Sequence, residues 1–107
     1  MRKTTPLVAI ALPLLAAGAL WHAVPARAAD AAAGKRLHAA NCAGCHAGIV
    51  GGDGSKLYTR ESRRIHSFPG LERQVERCVQ SRALDWSKTQ IDDVVAYLNQ
   101  TYYRFKE

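Results

Sequence analysis

The stretch Cys42-Ala43-Gly44-Cys45-His46 decides the fold of this 107-residue chain. On a helix, residues three and four positions apart share one face, so both cysteines and the histidine can point in the same direction. The small residues between the cysteines allow a planar group to lie close against the backbone. The C-x-x-C-H spacing is the attachment signature of c-type haem, in which each thiol forms a thioether with one vinyl group and the histidine is the proximal iron ligand.

Two other kinds of site also use a C-x-x-C pair. A thioredoxin-like dithiol requires a βαβ context, and no strand-rich run precedes the motif. A structural zinc site requires a second ligand pair, and the remaining candidates, His38, His66 and Cys78, are not spaced as one. The sequence therefore predicts one haem c, covalently held through two thioethers at Cys42 and Cys45, with His46 as proximal ligand.

The first 28 residues have the order of a secretory signal peptide. Arg2 and Lys3 precede an apolar run over residues 7–20, and an A-x-A cleavage pattern ends at Ala28. The run is shorter than the roughly 20 apolar residues that a bilayer-spanning helix needs. We therefore predict a signal peptide over residues 1–28 that is cleaved, export to the periplasm, and no membrane span in the mature form.

The predicted mature chain, residues 29–107, has room for a single domain with a thin core, so a cofactor is expected to complete it. It carries 12 basic and 9 acidic residues, a mild positive excess. Four of the basic residues cluster at Lys56, Arg60, Arg63 and Arg64. Export argues against nucleic acid as a partner. A solvated loop, contacts with haem propionates and an acidic redox partner remain alternatives.

Periodicity and capping signals predict an all-α domain. A first helix is expected from its N-cap, Asp30, to the haem motif, with an inner stripe of Ala33, Leu37 and Ala40. The glycine-rich residues 47–55 and the basic residues 56–66 are expected to be irregular.

Two further helices are expected after this irregular region. One begins near residues 67–70, and a capping box at Ser87 and Gln90 begins the other, the terminal helix. Their inward-facing residues are expected to be Leu71, Val75, Cys78 and Val79 in the first, and Ile91, Val94, Val95 and Leu98 in the second.

The chain resembles the class I cytochrome c family in its small monohaem form. Gly34-Lys35-Arg36-Leu37, the haem motif and Val94-Val95-Ala96-Tyr97-Leu98 carry the likeness. The ending over residues 97–105 is similar to a set of small periplasmic proteobacterial cytochromes. The resemblance implies a small cytochrome c fold of three or more short helices around one covalently bound haem. It also implies that Gly34 lets the first and last helices cross closely.

Three features depart from the family pattern. His38 stands where an aromatic residue is usual, and no proline between His46 and Pro69 offers the usual carbonyl to the proximal histidine. The distal methionine is missing, since the only methionine is Met1.

The identity of the distal ligand stays open. Cys78 lies on the inner face of its predicted helix, near the place of the family's methionine, but it could also be a buried structural thiol. His66 is the competing ligand, because imidazole is the more usual iron donor. A vacant site, or another donor such as Lys88, is the third alternative.

The resemblance implies an electron-transfer protein rather than an enzyme, with redox proteins as its partners. A gas-binding or sensing haem protein, or a weak peroxidase, is the alternative if the distal site is vacant or displaceable. A third hypothesis is a partner of a larger oxidoreductase, docked through Arg60, Arg63 and Arg64. Asp92 and Asp93 are expected to be acids at a helix start.

Overall fold

The computed structural model describes residues 2–13 and 28–107. Met1 and residues 14–27 of the predicted signal peptide lie outside the described residues. The elements within the described ranges are α1 (Ala31–Asn41), α2 (Ala43–Val50), α3 (Lys56–Thr59), α4 (Phe68–Ser81), α5 (Lys88–Leu98) and a π-helix (Asn99–Tyr103). These ranges contain no strand, which confirms the all-α prediction. None of their helices has both the length and the apolar character needed to cross a membrane.

Helices α1 and α5 pack directly against each other. The Asp30 side chain caps α1 by accepting a hydrogen bond from the Ala33 amide, as expected. A methyl group on Gly34 would lie 1.9 Å from the carbonyl oxygen of Asp93, so the two backbones meet at this glycine. The buried residues of α1 are Gly34 and His38, and the expected inner-stripe position Ala40 is exposed. Ala33 and Leu37 are partly buried as predicted, and Leu37 packs against the core, so the stripe prediction was wrong only at Ala40. The crossing with α5 determines which face of α1 is buried.

The glycine-rich stretch is more ordered than its composition predicts. Helix α2 continues through the haem motif to Val50, where the sequence predicted a loop from residue 47. It ends at Gly51, whose φ of 78° favours glycine and whose amide donates to the carbonyl of Ala47. The single turn α3 lies in the stretch that was expected to be irregular.

The two later helices agree with the sequence analysis. Ser67 caps α4 through the Gly70 amide, and Leu71, Val75 and Val79 are buried. At the start of α5, Ser87 and Gln90 form the predicted capping box, with bonds of 3.2 and 2.9 Å.

The last residues of the chain, from the π-helix to Phe105, pack against α3. Asn99 is buried, and its side-chain amide donates to and accepts from the backbone of Phe105, at 3.0 and 2.8 Å. These bonds turn the chain back after the π-helix, so Tyr103 packs in the same core cluster as Tyr58.

Candidate functional site

A cavity of about 770 Å³ lies between α2 and α4, within the roughly 300–1,000 Å³ usual for cofactor sites. Cys42, Cys45 and His46 line one wall, so the structure brings the three motif residues together. Cys78 and His66 line the same cavity. Its apolar lining comes from core residues of α4 and α5: Leu71, Val75, Val79, Val94 and Leu98.

The two motif cysteines are free thiols in different environments. Cys42 is half-buried at the junction of α1 and α2, whereas Cys45 is exposed. Burial raises the pKa of the Cys42 thiol, and the neighbouring Cys78 adds to the effect. Cys42 therefore stays protonated at neutral pH.

A hydrogen bond at one ring nitrogen positions the imidazole of His46. It is half-buried, which lowers its pKa and favours the neutral imidazole. Its Nδ1 atom is hydrogen bonded to the hydroxyl group of Tyr58. This bond occupies one ring nitrogen and leaves Nε2 available to bind a metal.

Tyr58 also bonds a second histidine. Its hydroxyl oxygen lies 2.6 Å from Nε2 of His38, and both side chains are buried. Burial, and to a smaller extent His46, lower the pKa of His38 to about 4, so this imidazole is neutral at neutral pH. Sequence reasoning singled out His38 but missed Tyr58, which lies in the stretch expected to be irregular. Two features of the sequence pointed to such a residue: His38 stands where an aromatic residue is usual, and no proline offers a carbonyl to His46.

The three distal-ligand candidates have different surroundings. Cys78 is half-buried on α4, and its sulfur accepts a 3.4 Å hydrogen bond from the Gln74 amide. His66 is exposed, at the edge of the cavity before α4. Lys88 lies outside the cavity lining, is 85% exposed and pairs with Asp92 at 2.9 Å. Only the first two could reach into the cavity.

The basic cluster is divided by the fold. Arg60 and Arg64 line the cavity, whereas the Arg63 guanidinium packs over the Tyr103 and Phe105 rings, with its carbon 5.3 and 5.6 Å from the ring centroids. The Arg63 side chain thus packs on the chain end, whereas Arg60 and Arg64 face the cavity. Sequence reasoning missed three further arginines that line the cavity, Arg73, Arg77 and Arg82. Arg73 and Arg77 lie on α4 with the apolar stripe, and Arg82 is its C-cap residue.

Comparison with known proteins agrees with this geometry. Residues 29–98 match the family described as cytochrome c oxidase, cbb3-type, subunit III. The chain belongs to this cytochrome c family. A 42-residue segment of this cytochrome is 60% identical to cytochrome c6 of Picosynechococcus sp. (strain ATCC 27264 / PCC 7002 / PR-6). That segment covers 39% of this chain and 35% of the relative, so it spans about a third of the relative's length. No solved structure matches the chain.

Family membership confirms three predictions made from the sequence: a class I monohaem cytochrome c, a small all-α fold and a covalently bound haem c. The described residues fit that group. Two thiols and an imidazole with a free Nε2 line one wall, the lining is largely apolar, and a third thiol lies on the facing helix. Haem supplies a redox-active iron, and the chain's residues bind it, orient it and exclude water from it.

Proposed function

We propose that this cytochrome is an electron carrier in which Cys42 and Cys45 form the thioethers and His46 is the proximal iron ligand. The observation that carries the proposal is that these three side chains line one wall of a mostly apolar cavity of cofactor size. The chain's part is to bury the group and to fix its axial donors, which together set the iron's potential. This role needs no separate catalytic group.

The edge of the cavity favours electron exchange with a partner. Cys45 is exposed, and Ile49, one turn further along α2, is 63% exposed and also lines the cavity. Five arginines add positive charge around it: Arg60, Arg64, Arg73, Arg77 and Arg82. We propose that a redox protein with an acidic surface docks here, because opposite charge steers encounter.

We further propose that residues 1–28 are a cleaved signal peptide, that residues 29–107 form the cytochrome domain, and that the mature protein works in the periplasm. The family match begins at residue 29, directly after the predicted cleavage site, which supports this division. Fractionation of cells that express the full chain, followed by N-terminal sequencing, tests it. A cytoplasmic protein that retains residues 1–28 would contradict it.

Covalent attachment is tested on the purified holoprotein. The protein is expected to keep its Soret band and its haem mass after denaturation and acid–acetone extraction. Cys42→Ser combined with Cys45→Ser is expected to abolish attachment, whereas Cys78→Ser is expected to retain it. Haem that is extracted from the wild type would refute the assignment of the two thioethers.

We propose Cys78 as the distal ligand. Its place on α4 in the lining of the same cavity as His46 and its partial burial support this assignment over exposed His66. A thiolate donor stabilises ferric iron and gives a lower potential than methionine does. Electron paramagnetic resonance of the ferric protein, of Cys78→Ser and of His66→Ala tests it. A Cys78→Ser spectrum identical to the wild type would exclude the thiolate.

Carbon monoxide separates the carrier from a ligand-binding haem protein. A carrier with two protein ligands is expected to be six-coordinate, low-spin and unreactive toward carbon monoxide when it is reduced. Rapid binding would instead favour gas sensing or weak peroxidase activity.

A further inference from the structure

Tyr58 lies between two imidazoles that are far apart in the chain. His46 is 12 residues before it and His38 is 20 residues before it, yet one phenol oxygen is within hydrogen-bonding distance of a nitrogen in each ring. Tyr58 is 4% exposed and His38 is 6% exposed. Water is therefore excluded from the bond between Tyr58 and His38, and these two groups must satisfy each other.

The directions of the two bonds follow from the number of protons. A phenol has one proton to donate, and a neutral imidazole has one N–H and one acceptor nitrogen. With Nε2 of His46 reserved for iron, its proton must be on Nδ1, so Nδ1–H donates to the Tyr58 oxygen. The Tyr58 hydroxyl then donates to Nε2 of His38.

We propose that Tyr58, backed by His38, is a positioning residue that fixes the orientation and basicity of the haem ligand His46. This inference rests on the proposed role of His46 as proximal ligand. Tyr58 occupies the place that a backbone carbonyl after the haem motif would otherwise take, and the α3 turn is the element that delivers it.

The chain of bonds has a consequence for the iron. An acceptor on Nδ1–H makes the imidazole a stronger donor, because the outer partner of a metal-bound histidine raises its basicity. A stronger donor favours ferric iron. Donation from Tyr58 to His38 polarises the phenol, so its oxygen is a better acceptor than an isolated phenol would be. His38 therefore acts on His46 only through Tyr58.

The experiment compares Tyr58→Phe, His38→Phe and the double variant as holoproteins, and Tyr102→Phe serves as the matched control. The Tyr102 ring lies 5.1 Å from that of Tyr58, but it packs edge-on against Tyr97 at 6.1 Å and does not line the cavity. The midpoint potential is expected to rise in Tyr58→Phe and to rise less in His38→Phe. The double variant is expected to match Tyr58→Phe, and Tyr102→Phe the wild type.

A second measurement begins with the wild type, so its first outcome does not depend on the folding of any variant. In the reduced wild type, nitrogen-edited NMR is expected to show a His46 Nδ1–H that exchanges slowly with solvent. Exchange should be about tenfold faster in Tyr58→Phe, the change that one hydrogen bond of ordinary net strength supports.

An unprotected Nδ1–H in the wild type, or a Tyr58→Phe potential equal to that of Tyr102→Phe, would overturn the positioning role. Additive shifts from His38 and Tyr58 would overturn the relay through Tyr58. All of these measurements use protein that retains its haem after denaturation. A negative result would therefore contradict the role of Tyr58 and not the covalent attachment of haem.

Discussion

At the scale of single residues, Gly34 shows how one missing methyl group determines where two helices cross. The gap at this position is filled by the backbone of α5 rather than by a flexible side chain. Helix α1 cannot move away without exposing His38, which lies one turn further along the same face. The glycine therefore also sets the depth at which His38 reaches Tyr58.

We predict that Gly34→Ala destabilises the protein by about 3 kcal/mol, the upper end of the usual cost of overpacking. The midpoint of urea unfolding measures this loss of stability. Gly48→Ala is the control, because a methyl group there meets no atom within 4 Å and helix α2 should gain about 0.5–1 kcal/mol. Equal midpoints for the two variants would mean that the helices can separate freely at Gly34.

At the scale of elements, the helices that were predicted well are those with complete local signals. Helices α4 and α5 each begin at a serine whose side chain accepts from an amide three residues later. Each then carries apolar residues on one face that is buried in the structure. Helix α2 has neither signal, and it extends to Val50 where a loop was predicted from residue 47. The backbone hydrogen bonds of α2 continue to Val50 because the haem motif before them is itself helical.

The α5 capping box supports a second prediction. Ser87→Ala removes one side of the reciprocal pair and is expected to cost about 1 kcal/mol of unfolding free energy, as typical N-cap replacements do. Thr89→Ala is the control in the same first turn, since Thr89 is exposed and has no capping role; it should change stability little. Thermal unfolding followed by circular dichroism at 222 nm measures both. The prediction fails if the two variants melt alike.

At the scale of the whole molecule, the core is arranged around a cavity. Leu71, Val75 and Val79 of α4 and Val94 and Leu98 of α5 pack with one another and also line this space. A domain of this size buries too little apolar surface to sustain a large empty cavity. The cofactor is therefore part of the core and not an addition to a finished fold.

We predict that the haem-free chain, made as Cys42→Ser with Cys45→Ser, loses fixed tertiary packing. Its near-ultraviolet circular dichroism signal should be lost and its urea transition should become shallow, because the side chains that line the cavity cannot keep fixed packing without the haem. Cys78→Ser, which leaves both attachment cysteines in place, is expected to keep a cooperative transition. A haem-free variant with a native-like spectrum and a steep transition would refute the prediction.

The arginines around the cavity predict a charge-dependent electron exchange that small probes can measure. Arg64→Glu should slow oxidation by anionic ferricyanide several-fold at low ionic strength and should speed reaction with cationic hexaammineruthenium. The effects should shrink above about 0.1 M salt, where the Debye length falls to about 10 Å. Lys56→Glu changes net charge equally at an exposed site outside the cavity lining and should act more weakly. Equal effects from the two variants would contradict a special role for the arginines that line the cavity.

The amino-acid sequence by itself determined what depends on neighbours in the chain. The C-x-x-C-H motif, the Asp30, Ser67 and Ser87 caps, and the apolar faces of α4 and α5 were all predicted, because each depends on residues a few positions apart.

Only the tertiary structure decided which residues of distant segments meet. It placed Tyr58 between two histidines, turned His38 inward instead of Ala40, gathered the arginines of α4 with Arg60 and Arg64, and separated Arg63 from them. The physical reason is that these contacts depend on how the helices cross, and the close approach of α5 at Gly34 sets the face that α1 buries.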